Sequence, residues 1–82
     1  MTPAMQGYAK TAFERECGSG VRFIKVQETA RGTDFSFCIV SRNSTHTIGT
    51  SPTGKGRSAI EDAAIQAGRW AKIMAERSAM AA

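Results

Sequence analysis

The apolar positions of this chain fall into two stretches with helical spacing, separated by a run of alternating, β-branched sequence. Thr2 is a good N-cap and Pro3 suits a first helical position. Met5, Ala9, Ala12 and Phe13 then recur at helical spacing until Gly18 offers a stop, which predicts a first helix. Its other face carries Lys10, Thr11 and Glu14. Gly18-Ser19-Gly20 breaks the chain, and over 21–29 the content of β-branched and aromatic residues rises, which predicts a strand. The alternation slips between Phe23 and Ile24, where a bulge fits.

Ala30-Arg31-Gly32-Thr33 reads as a turn, and the strand that follows, over 35–41, puts Phe35, Phe37 and Ile39 on one face. Arg42-Asn43-Ser44 closes a second hairpin onto a short strand over 45–49, whose threonines suit a half-exposed sheet. Residues 50–57 hold too many Gly, Pro and hydroxyl residues for either periodicity, and so predict a basic loop. Ser58-Ala59-Ile60-Glu61 matches the capping box and predicts the start of a second helix. Along it Ile60, Ala63, Ala64, Ala67, Trp70, Ala71 and Met74 form an apolar stripe, with Trp70 as the large anchor and Asp62, Gln66, Arg69 and Glu76 outside. Residues 78–82 are expected to fray. The fold class is therefore α+β: a single domain of order α-β-β-β-α, with a three-stranded antiparallel sheet packed against two helices and a structured core over about 3–77.

A chain of 82 residues leaves no room for a second domain. Eleven Lys and Arg against seven Asp and Glu give a formal charge of +4, which tilts the partner toward something anionic. No apolar run approaches the ~20 residues of a membrane span, and the N-terminus lacks a basic region followed by an apolar core, so a cytoplasmic location is expected. Cys17 and Cys38 stand far apart without a neighbouring histidine or third thiol, which predicts two reduced, partly buried thiols, with one disulfide as the alternative, and no metal site.

Catalysis is poorly supplied. His46 is the lone histidine and has no placed nucleophile or carboxylate partner, and the seven carboxylates form no pair in a cleft. Gly49 to Lys55 fits the first seven places of a phosphate-binding G-x-x-x-x-G-K pattern, but Gly56 replaces the hydroxyl residue that would hold magnesium. What remains is a helix N-terminus flanked by Lys55 and Arg57, suited to a phosphate or carboxylate. No enzyme, cofactor or small-molecule substrate is expected.

The order helix, three-stranded meander, helix resembles the double-stranded-RNA-binding domain. Gly54-Lys55-Gly56-Arg57-Ser58 is similar to the G-x-G-x-S segment that leads into that family's second helix, and Ala67 falls where a packing alanine is expected. The resemblance implies three contact regions: the first helix, the turn around Arg31-Gly32, and the start of the second helix. Ala59, Ile60 and Ala63 stand where the family carries the lysines of its phosphate clamp, and the first turn lacks the family's Pro and His. By size and profile the chain also resembles small inhibitors carried by phages, anti-CRISPR proteins among them. That likeness implies docking on a protein or ribonucleoprotein, such as a CRISPR-Cas surveillance complex with its guide RNA, in the cytoplasm of a bacterial host. The alternative is an autonomous duplex-RNA-binding module. Lys10, Arg31, Lys55 and Arg57 are the expected contact residues for either.

Overall fold

The computed structural model describes residues 2–51 and 57–80. Helix α1 spans Pro3–Cys17, strands β1, β2 and β3 span Val21–Thr29, Gly32–Ile39 and Ser44–Thr50, and helix α2 spans Arg57–Met80. The sheet is antiparallel with β2 in the centre, and the expected α-β-β-β-α architecture is present.

Local chemistry accounts for most boundaries. The Thr2 hydroxyl accepts the Met5 amide at 3.2 Å, as an N-cap should, with Pro3 opening α1. Gly18 ends the helix at φ +76°, a conformation that favours glycine. In β1 the register jumps from Phe23 opposite Phe37 to Lys25 opposite Ser36, so Ile24 is the extra residue of a bulge. Beyond it Val26 faces Phe35, which restores the apolar row. The second hairpin turns through Asn43 at φ 49°, which asparagine tolerates.

Both helices lie on the face of the sheet that carries Phe35, Phe37 and Ile39, and they run parallel. The Tyr8 hydroxyl donates to Glu61 Oε2 at 2.8 Å, Phe13 meets α2 at Gly68, and Gly20 meets Ala75, so position advances together along both. Phe13 is fully buried and is the hub of the core: its ring lies 5.5 Å from Phe23, 5.6 Å from Phe35, where the planes are nearly parallel, and 5.8 Å from Phe37. Ala63, Ala64, Ala67 and Ala71 are buried beneath it on α2. The helices approach closely at Gly68, where a Cβ would fall 2.8 Å from Glu16 Cβ and 2.9 Å from the Phe13 carbonyl oxygen.

Four expectations need correction. Trp70 is not the anchor of α2: 56% of it is exposed. It lies one residue, hence about 100°, from Ala71 at the centre of the stripe, and the alanines hold the layers too close for an indole. Ser58 is not a cap but the second residue of α2, and Glu61 reaches Tyr8 and Arg15 of α1 instead of turning back. The tail is helical through Met80, so the structured core passes 77. Strand β2 begins at Gly32 and ends at Ile39, earlier than the sequence indicated at both ends, because pairing with Thr29 and Ser44 fixes its limits.

Phe13→Ala should cost about 3–5 kcal/mol in chemical denaturation, because it empties the site where both layers meet. Gly68→Ala should also destabilise, with overpacking of about 1–3 kcal/mol outweighing the ~1 kcal/mol gain in helix propensity. Trp70→Ala should change stability by no more than about 1 kcal/mol. A Trp70→Ala loss as large as that of Phe13→Ala would contradict this core.

Candidate nucleic-acid or partner interface

Helix α1 runs back along β1 in the opposite direction, and the bulge opens a groove between them of about 390 Å³, reaching from Pro3 and Gln6 to Phe23 and Val26. Gly7 leaves the helix side of this groove unfilled, since a Cβ there would meet nothing within 4 Å. Lys10 lines the groove from the helix and Lys25 from the strand. Both are exposed, and among the described residues the ion pairs are Arg15 with Glu61 at 3.6 Å and Arg69 with Glu16 at 4.0 Å, both between the helices. The two lysines are thus left for an external anion. The groove ends at the N-terminus of α1, whose first turn carries no acidic residue, so the helix dipole adds to their positive potential.

Arg31 sits at the tip of the first hairpin, on a turn fixed by its own neighbours. The Thr29 hydroxyl accepts the Arg31 amide at 3.3 Å and faces the Gly32 carbonyl at 3.3 Å, and Gly32 takes φ 151°. Thr50 Oγ1 donates to the Thr33 carbonyl at 2.9 Å and ties the end of β3 to the same hairpin. A concavity of about 590 Å³ lies here, bounded by Arg31, Asp34, Gly49 and Ser51. Asp34 gives it a mixed charge, whereas the α1–β1 groove is purely cationic among the residues that line it. At ~3.3 Å per strand residue, Arg31 stands at most about 20 Å beyond Lys25.

The first half of α1, the first hairpin and the start of α2 all lie toward one end of the molecule. This follows from the antiparallel run of β1 against α1, the pairing of Thr50 with Thr33, and the parallel helices. Of the sequence-predicted contact residues, Lys10 and Arg31 are exposed at that end and Arg57 opens α2. Lys55 lies outside the described residues. Lys25 was not anticipated; the slip in alternation at Phe23-Ile24 was its signal, because a bulge re-aims its neighbours. The positions aligned with the family's clamp lysines, Ala59, Ile60 and Ala63, are buried in the core, so that face of α2 cannot carry the clamp.

His46 is half-buried, with Nε2 3.0 Å from Ser44 Oγ and its ring against Phe37. Cys17 and Cys38 are free and buried on opposite sides of the sheet: Cys17 joins the core, and Cys38 lies opposite Arg22 between the inward-facing Phe37 and Ile39. Burial raises the Cys17 thiol above its ordinary 9.0, reinforced by the Glu14 carboxylate and opposed by a backbone hydrogen bond. No group of three metal-ligating side chains occurs among the described residues. No helix among them is long and apolar enough to cross a membrane.

The α-β-β-β-α topology is compatible with a fold like that of the double-stranded-RNA-binding domain. Comparisons with protein-family models, with curated proteins and with solved structures find none that matches this chain.

The raised Cys17 thiol favours the protonated form in the folded state. Its contribution to stability is full below the unfolded value near 9.0 and is lost as pH rises from there through the folded value. Denaturation midpoints of the native protein should therefore fall more steeply above pH 9.0 than those of Cys17→Ser at the same pH. Parallel curves would contradict the assignment.

Proposed function

We propose that the protein is a non-enzymatic binding protein whose cationic end docks on an extended polyanion, in the manner of a phage inhibitor that engages a ribonucleoprotein and blocks its nucleic-acid contacts. The observation that carries this is the pairing of Lys10 and Lys25 across one groove at the α1 N-terminus, with Arg31 on a fixed turn farther along the same end. Two lysines and a helix dipole attract phosphate without a specific base contact, and a third cation, Arg31, in a second concavity at the same end favours a polymer over a free ion. A CRISPR-Cas surveillance complex, with guide RNA held on a protein frame, is the kind of partner implied. The net charge of +4 favours contact with RNA or an acidic protein surface over imitation of DNA.

An autonomous duplex-RNA-binding module is the second reading, and the element order with its three contact regions at one end favours it. Against it stands the burial of Ala59, Ile60 and Ala63, which removes the family's phosphate clamp. The few remaining cations give a module of this kind weak affinity, with a log–log salt slope of about 2 to 3.

Two measurements separate these. Affinity recovery from the native host, with and without ribonuclease, should return one discrete complex by the first reading and heterogeneous, ribonuclease-sensitive RNA by the second. The Lys10→Glu, Lys25→Glu double variant should lose recovery of its partner about tenfold or more while its thermal unfolding stays cooperative and near the native midpoint. Undiminished recovery by the folded variant would remove the groove from the interface.

A further inference from the structure

The two edges of the sheet are built differently. Strand β1 carries Arg22, Lys25, Glu28 and a bulge at Ile24, features that keep an edge from pairing with another chain. Strand β3, Ser44–Thr50, has none of them: it holds no Lys, Arg, Asp, Glu or Pro, and it pairs with β2 in unbroken register from Ser44 to Thr50. Among the described residues, no further strand lies beside its outer backbone donors and acceptors in the order β1-β2-β3. The core-facing side chains His46 and Ile48 are half-buried, so α2 covers this edge incompletely.

Trp70 lies on the β3 side of α2. Gly68 faces α1, and two residues turn a helix by about 200°, so Trp70 points away from α1. With α1 packed on β1 and α2 on β2 and β3, the side away from α1 is the β3 side. A half-exposed indole thus lies on the side of α2 toward an uncharged strand.

We propose that β3 pairs antiparallel with β3 of a second copy of this chain, about a two-fold axis through Thr47 normal to the sheet, to form one continuous sheet. In this register Ser44 faces Thr50, Thr45 faces Gly49 and His46 faces Ile48, so no like charges oppose each other. Two molecules of charge +4 repel, and a contact between them has to exclude charge; β3 is the strand that does. The axis keeps all four helices on one face and brings both Trp70 rings to the seam, where they cover the half-buried His46 and Ile48 rows. An isologous contact of this kind closes on itself and leaves the Lys10–Lys25 groove of each copy, on the β1 side, free.

Sedimentation equilibrium from micromolar to sub-millimolar concentration is the test. The native chain should reach twice its 8.8 kDa mass, and emission from its single tryptophan should shift to the blue over the same range. Thr47→Lys and Thr47→Glu each place like charges on the axis and should weaken self-association about tenfold or more. An equal mixture of the two should restore the dimer, and cooperative unfolding of each variant confirms its fold. A native chain that stays monomeric with concentration-independent emission overturns the proposal, as does binding of an unrelated extended peptide at β3 without self-association. Thr47→Lys as dimeric as the native chain, or no mixed species with Thr47→Glu, likewise contradicts it.

Discussion

The Phe13 ring is the contact on which the two layers depend. It descends from α1 against Phe23, Phe35 and Phe37, each within 6 Å of it, and the backbone behind it touches α2 at Gly68. A chain of this length buries little, so a single aromatic hub carries a large share of the apolar area that holds it folded. The small residues of α2 follow from the same constraint. Alanine and glycine are what fits beneath a helix pair drawn together by one large ring, and the indole of Trp70 is left outside.

Surface electrostatics follow from that packing. Drawing the helices together places Glu61 beside Tyr8 and Arg15, and Glu16 beside Arg69, so four of the chain's charges are used between the helices. Such exposed pairs contribute little to stability. They do decide which cations remain, and Lys10 and Lys25, in the groove at the α1 N-terminus, are among them. The bulge that opens their groove also keeps β1 from acting as a pairing edge. One irregularity thereby separates two surfaces: a cationic one on the β1 side and an uncharged one along β3.

Much of the fold was legible because local signals agreed. The Thr2 cap, the slip at Phe23-Ile24 and the Phe35-Phe37-Ile39 alternation each act over a few residues, and each is present in the structure. What could not be read was set by contacts between elements. Trp70 shares the periodicity of the stripe and lost its place to interlayer spacing; Glu61 had a plausible local partner and took a tertiary one. Lys10 and Arg31 were legible as exposed cations. Lys25 joins Lys10 only through the packing of α1 along β1, a pairing that no spacing in the chain encodes.

The proposed function places an anionic partner at the cationic end, and not at the β3 edge or the open sheet face. Titration of isotope-labelled protein with a short RNA duplex at low salt, followed by amide chemical shifts, tests it most directly. The largest changes are expected at Gln6, Lys10, Lys25 and Arg31, fading as salt is raised. Changes centred on Thr45 to Ile48 and Trp70, with Lys10 and Lys25 unmoved, would contradict it.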